Sequence, residues 1–394
     1  MAPTDSKLSA ASAPVACGPL AGIRVLELGG IGASPFGNMV LADMGADIIR
    51  VERPGKSAEG QAGVAPGPVL LRGRCAVVPV DLKRAEGREL ILEAVRRADV
   101  LTEAFRPGVA ERLRLGPDAL LQVNPRLVYG RMTGWGREGP LAMSAGHDID
   151  YIAVAGVLGA LGRAGSPPPP PLALVGDMGG GGLVLALGIL AALVERQSSG
   201  RGQVVDAAMV DGAALLMAAF WEHYAFGRWS TRRESNFTDG GAPYYDTYEC
   251  SDGRYVAVGA LEDDFYEELR ARLGLPDDID RLNPANWPEL RRRMRAVFIT
   301  RTRDEWAQLL EGADACVAPV LDFTDAPAHL QNRERGTFVE VDGIRQPAPA
   351  PRLSRTPLSA RPAFRGAVDP AAAFRAWDVD EAVLAGALAC GALC

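Results

Sequence analysis

The stretch Ile23-Arg24-Val25-Leu26-Glu27-Leu28 is rich in aliphatic residues and runs straight into Gly29-Gly30-Ile31-Gly32. An apolar run that ends in glycines predicts a buried strand entering a sharp turn. Residues 35–45 follow with Phe36, Met39, Val40 and Met44 at helical spacing, and Ala46-Asp47-Ile48-Ile49-Arg50-Val51-Glu52 predicts a second strand. Strand, glycine turn, helix and strand form a βαβ unit whose strands run parallel. The alternation continues outward with strands over 75–82, 100–103 and 127–132 and helices over 85–98 and 117–124. The expected class is therefore α/β, with a large doubly wound, Rossmann-like domain.

Further along, residues 179–195 predict one long helix, stopped by Ser198-Ser199-Gly200-Arg201-Gly202-Gln203. Residues 204–210 and the apolar positions after them lead into 221–226, expected as helix leaving the first domain. A hairpin is expected over 244–261, with strands 245–250 and 255–260 about Ser251-Asp252-Gly253, followed by helices 263–273, 287–300 and 303–311. That stretch predicts a smaller α+β domain. Residues 1–18 read as a disordered leader, and 56–68 and the prolines 167–171 as irregular exposed segments. From Pro347 the chain is rich in proline and alanine and ends in an apolar tail over 383–394.

Bulk properties narrow the function. A chain of 394 residues with 48% apolar content suits a globular enzyme of two domains. A net charge of -7 argues against nucleic acid as a partner, because phosphate binding needs a basic face. Six scattered cysteines without metal-ligand spacing, and no apolar core behind a basic start, predict a cytoplasmic protein with reduced thiols. The apolar run at 183–194 is shorter than the roughly 20 residues a bilayer needs, so no membrane insertion is expected.

Two residues stand out chemically. His147, one of three histidines, lies in Ala145-Gly146-His147-Asp148-Ile149-Asp150-Tyr151, and Asp177 precedes four glycines and the long apolar helix. Histidine works as a base near neutrality because its unperturbed pKa is about 6.5. Each has a plainer reading: His147 as a capping or core-edge histidine, Asp177 as an N-cap. The glycine run weighs against a mere cap, since each glycine inside a helical turn costs roughly 1 kcal/mol against alanine. Glycines there would let a ligand approach backbone N–H groups, at Met178 and Gly179, suited to an oxyanion. Arg53, Arg72, Arg74, Lys83, Arg106 and Arg112 cluster near strand ends. Arg53, Lys83 and Arg106 each follow a different strand, which suits a polyanion such as a nucleotide diphosphate. Gly29-Gly30-Ile31-Gly32 lacks the full G-x-G-x-x-G spacing and reads better as a strand-to-helix turn than as a dinucleotide site.

Taken together, the chain resembles the family III CoA-transferase superfamily and, within it, the α-methylacyl-CoA racemases. The resemblance runs from about Gly18 to Trp377. Its motifs are Gly22-Ile23-Arg24-Val25-Leu26-Glu27-Leu28, Leu41-Ala42-Asp43-Met44-Gly45-Ala46-Asp47 through Arg53-Pro54-Gly55, and Phe105-Arg106-Pro107-Gly108-Val109-Ala110-Glu111-Arg112-Leu113. Met132-Thr133-Gly134-Trp135-Gly136, Gly146-His147-Asp148, Gly176-Asp177-Met178-Gly179-Gly180-Gly181 and Gly240-Gly241-Ala242-Pro243-Tyr244-Tyr245-Asp246 complete the set. In the transferases the aspartate at the position of Asp177 is a nucleophile. In the racemases a histidine at the position of His147 opposes it as a second base. The resemblance thus implies an isomerase of lipid metabolism that interconverts (2R)- and (2S)-2-methylacyl-CoA thioesters through an enolate. A family III CoA-transferase, or a non-catalytic acyl-CoA-binding homologue, is the alternative. It further implies Glu262, in Gly259-Ala260-Leu261-Glu262, as the residue orienting His147, and Arg53, Lys83, Arg106, Arg112 and Tyr151 as CoA contacts. No cofactor is implied beyond the CoA of the substrate. The implied assembly is an interlocked homodimer, each chain having a large CoA-binding domain (19–227 and 329–394) and a small one (228–328). The leader, the 56–68 loop and the apolar C-terminal tail read as additions to the racemase pattern.

Overall fold

The computed structural model describes residues 18–55, 66–363 and 369–394. Nearly all of the expected leader, and residues 56–65 of the expected loop, lie outside the described residues. The chain forms two compact units, one of residues 1–133, 181–207 and 339–394, the other of residues 134–180 and 208–338.

The first unit is built on a six-stranded sheet. Strands β1 (Arg24–Leu28), β2 (Asp47–Glu52), β3 (Arg74–Pro79), β4 (Val100–Glu103), β5 (Val128–Thr133) and β6 (Val204–Ala208) lie in the order β3-β2-β1-β4-β5-β6. The pairs β1–β2, β2–β3, β1–β4 and β4–β5 are all parallel. Both faces of the sheet are covered, as a parallel sheet requires. On one face Leu26, Leu28, Ile49, Val51 and Leu101 pack with Leu90, Ile91 and Ala94 of helix Ala85–Val95. On the other, Gly130 leaves room for Leu185 and Ile189 of helix Val184–Ser199, while Gly37 of helix Ala33–Asp43 meets the carbonyl of Gly182.

Three expectations need correcting here. Residues 204–208 form the edge strand β6, although Val204-Val205-Asp206-Ala207-Ala208 is too short and too small in side chain to announce one. The C-terminal tail is not an appendage. Helices Pro370–Arg375 and Glu381–Ala389 bring Phe374, Trp377, Leu384 and Leu393 into the main core, and Leu393 forms a bridge with Val80. The apolar helix is also longer than its sequence run. Leu174–Ser199 is helical over 26 residues and is long and apolar enough to cross a membrane, with 44% of its most apolar window buried inside the protein. Buried Arg196 on this helix pairs with Asp99 at 2.9 Å.

Charge is buried at the centre of the sheet. Glu27, with no exposed surface, accepts from Arg50 at 2.6 Å and from Arg74 at 3.0 Å. Arg50 also donates to the carbonyls of Gly29 and Gly30, both at 2.9 Å, so the pair holds the turn after β1. Arg72 is equally internal, donating to Asp43 and to Gln346. Arg72 and Arg74 therefore leave the group of candidate ligand-binding cations.

In the second unit β7 (Tyr245–Glu249) and β8 (Tyr255–Gly259) form the expected antiparallel hairpin, and β9 (Val317–Pro319) adds a third strand. Helices Asp263–Leu273, Trp287–Phe298 and Arg303–Leu309 cover it. Tyr248 stacks on Phe298, which meets Trp306 edge-on. Residues 134–180 and 208–227, expected in the large domain, make their contacts in this unit. Ile152, Val157 and Ala213 share a small core there with Val175 and Met217.

Glu27→Ala would leave Arg74 buried without its anion and Arg50 with Glu52 alone, a change that costs about 3–5 kcal/mol. Denaturant unfolding should register that loss; unchanged stability would contradict the assignment of Glu27 as the hub of the sheet.

Candidate active site

Helix Asp148–Val154 begins immediately after His147, whose backbone is extended and whose N–H donates to the Asp150 carboxylate at 2.9 Å. The plain reading of His147 as a helix-capping position is thus correct for its backbone. Its imidazole stays exposed. The loop before it is fixed by Tyr151, whose hydroxyl donates to the Gly146 carbonyl and whose ring meets Trp135 edge-on. A Cβ at Gly146 would stand 2.7 Å from the Tyr151 ring, so glycine is required for the loop to lie there.

Asp177 is half-buried on a π-helix, Leu174–Leu183. Leu172 and Ala173 precede it with positive φ (60° and 57°), left-handed backbone that only a constrained junction keeps in residues other than glycine. The Asp177 N–H donates to Oδ1 of Asp148 at 2.7 Å. Burial, reinforced by the negative charge of Asp148 and opposed by His147, pushes the Asp177 carboxyl up to about 6. His147, Asp148 and Asp177 thus form one electrostatic cluster where the start of one helix meets the first turn of another.

The expectation of a helix N-terminus at Asp177 does not hold. The helix starts at Leu174, and the Met178 N–H is engaged with the Ala173 carbonyl at 3.3 Å, five residues back. Gly179 lies one position deeper in the same helix. Two of the four glycines serve helix packing instead of ligand approach. A Cβ on Gly180 would lie 2.6 Å from the Ala213 N–H nitrogen, and one on Gly182 would lie 2.6 Å from the Ala33 carbonyl. Sequence reasoning also passed over Asp148 and Gly176. A Cβ on Gly176 would sit 2.6 Å from Asp148 Oδ1, so glycine there is the condition for the Asp148–Asp177 bond. The signal was present as Gly-Asp in 176–177 and His-Asp in 147–148, but nothing in spacing joins two pairs thirty residues apart.

Glu262 is exposed and directly precedes helix Asp263–Leu273; its charge bears on the Cys316 thiol. Among the described residues no hydrogen bond or ion pair joins it to His147. The motif ending in Asp246 is structural in this chain. Asp246 is buried, pairs with Arg163 and Arg291, and Arg291 donates to the carbonyls of Gly240 and Gly241, both at 2.6 Å.

In the first unit, Arg53, Lys83 and Arg106 follow β2, β3 and β4 and are all exposed beyond the carboxyl ends of these parallel strands. The order of strands reverses at β1 and β4, the switch point where such sheets bind ligands. Glu103 shapes the turn before Arg106 by accepting the Phe105 N–H at 2.6 Å and pairing with Arg131. Arg112 is exposed at the end of the short helix Val109–Arg112. Tyr151 differs from these four: it is buried, and its hydroxyl is occupied by Gly146. No group of metal-ligating side chains occurs among the described residues.

One unit thus carries a Rossmann-ordered parallel sheet with exposed cations at its carboxyl edge, and the other a His–Asp–Asp cluster. Residues 20–365 match CoA-transferase family III, and the chain belongs to that family. It is 47% identical over 342 residues to alpha-methylacyl-CoA racemase of Mus musculus, covering 86% of this chain and 87% of that protein. The alpha-methylacyl-CoA racemase of Homo sapiens is 44% identical over 350 residues, 88% of this chain and 89% of that one. Among solved structures, a CAIB/BAIF family protein from Brucella suis superposes with a TM-score of 0.79 at 26% identity, covering 92% of this chain and 100% of that chain.

Tyr151→Phe removes the hydroxyl that anchors the loop of His147 and should cost about 1 kcal/mol of stability. Thermal unfolding measures this. A variant of unchanged stability with weakened CoA binding would show instead that the hydroxyl serves the ligand.

Proposed function

We propose that the protein is a racemase that interconverts (2R)- and (2S)-2-methylacyl-CoA thioesters by moving one proton on and off C2. The observation that carries the reading is the joint placement of His147 and Asp177, with the carboxyl raised to about 6, in a chain 44–47% identical to alpha-methylacyl-CoA racemases. A carboxyl near 6 can hold or release a proton close to neutrality, as a base of such a pair must. One group then takes the α-proton from one face while the other, protonated, delivers a proton to the opposite face. The C–H bond electrons pass into the enolate, and its thioester oxygen carries the charge until C2 is reprotonated. Met178 can serve this oxygen by exchanging its long bond to Ala173 for one to the enolate, where a preorganised donor is worth most. Gly179 would supply the neighbouring donor.

Arg53, Lys83, Arg106 and Arg112 form the cationic edge proposed for the CoA phosphates, and the chemistry asks for no separate cofactor. We propose a homodimer as the working form. Leu187 and Val194 in one unit, and Leu215, Leu216, Trp221 and Phe226 in the other, are each more than half exposed, an extent of apolar surface that marks association. In that assembly Glu262 of the partner subunit would orient His147, as a carboxylate orients the histidine of a triad.

Incubation with a single enantiomer of a 2-methylacyl-CoA in deuterium oxide should introduce deuterium at C2 and epimerise it. Transfer of CoA to a free acid through a hydroxylamine-sensitive species on Asp177, without exchange at C2, would instead establish the transferase. Binding without either reaction would leave an acyl-CoA carrier.

The pH dependence has a fixed sign. Below about 6 the Asp177 carboxyl holds its proton, the form of the pair that has a free base is depleted, and kcat/KM must fall. The racemisation equilibrium does not depend on pH, so the profiles for the two enantiomers should superimpose. An acid limb near 4 would contradict the raised carboxyl.

A further inference from the structure

Asp148 has been given no chemical role so far, yet it is a carboxylate with 6% exposure lying directly beneath a proposed base. Three independent features place it there. Its Oδ1 accepts the Asp177 N–H at 2.7 Å. Gly176 lacks the side chain that would collide with that oxygen. Asp148 also opens the helix that His147 precedes, so one residue joins both arms of the site.

We propose that Asp148 is a positioning residue for the racemase reaction: its carboxylate anchors the backbone of Asp177 at the π-turn and sets a fixed negative charge beside the Asp177 carboxyl. The inference rests on the racemase reading. A capping role alone would need only an acceptor, which an amide oxygen also supplies. A negative charge adds something different, because like charge beside a half-buried carboxyl disfavours its ionisation. The groups that face Asp177 in its unit make this attribution specific. Helix Asp148–Val154 and its preceding residue contribute Asp148 and His147, while Asp150 is turned to the His147 N–H. Helix Met209–Leu216, which packs on Gly180, carries one charged residue, Asp211, exposed and without a bond to Asp177 among the described residues. His147 opposes ionic repulsion and Asp148 supplies it.

The test separates charge from anchoring. Asp148→Asn keeps an acceptor for the Asp177 N–H and removes the charge, so the acid limb of kcat/KM should move down by roughly 0.5–1 pH unit in both directions of racemisation. Asp148→Ala loses the anchor as well and should lower kcat about tenfold or more on top of that shift. An acid limb that stays in place in Asp148→Asn overturns the proposal, whatever happens to kcat. If that variant does not fold, infrared titration compares the carboxyl band lost in Asp177→Asn between the unaltered protein and Asp148→Ser. A lower midpoint in Asp148→Ser supports the proposal, and an unchanged one overturns it, since burial alone then accounts for the raised carboxyl. This measurement needs no turnover. Absence of C2 exchange with every 2-methylacyl-CoA would defeat the racemase reading and leave the titration result standing on its own.

Discussion

A single hydrogen bond, from the Asp177 N–H to the Asp148 carboxylate, joins the two arms of the proposed catalytic cluster. It joins a seven-residue helix to a π-helix across thirty residues of sequence, and both proposed bases ride on it. His147 is fixed because the helix behind it is fixed, and Asp177 is fixed through its own backbone. The bond exists because position 176 has no side chain, and the carboxyl of Asp177 is raised chiefly because the place is half-buried and further because the acceptor is charged. Geometry and proton affinity therefore have a common origin. The π-turn fits this arrangement, since a helix wound with i→i+5 bonds concentrates at functional sites and is relieved of steric cost by glycine.

The other half of the chemistry, binding CoA, depends on a different constraint. Parallel strands bring their carboxyl ends to one edge, so residues following different strands become neighbours whatever their separation in sequence. The buried Glu27 with Arg50 and Arg74 keeps the central turn in place there, and Glu103 with Arg131 does the same one strand over. Two kinds of arginine thus coexist at this edge: internal ones with carboxylate partners, which shape it, and exposed ones, proposed to meet the CoA phosphates.

Much of this was legible in the sequence. The βαβ opening, the strand ends and the hairpin follow from apolar runs punctuated by glycine, which report local geometry directly. Arg53, Lys83 and Arg106 could be grouped because topology alone places them. What failed was whatever depended on long-range contact. Arg72 and Arg74 look like Arg53 in sequence and differ only in having Asp43 and Glu27 beside them. The 204–208 strand needed β5 to define it, and the C-terminal tail needed the face of helix Ala85–Val95. The helix around Asp177 was read three to five residues too late, because glycines carry low helix propensity and only packing against Gly212 and Ala33 makes them favourable there. Asp148 stood beside His147 in plain view; its meaning came from a residue 29 positions away.

The account stands on two bases facing opposite sides of one carbon. Enantiomer-resolved deuterium incorporation by His147→Ala and Asp177→Ala measures this directly. Each variant should retain exchange at C2 with one enantiomer of a 2-methylacyl-CoA and lose it with the other, the two variants sparing opposite enantiomers, and neither should racemise. Equal loss on both enantiomers in either variant would contradict the two-base arrangement.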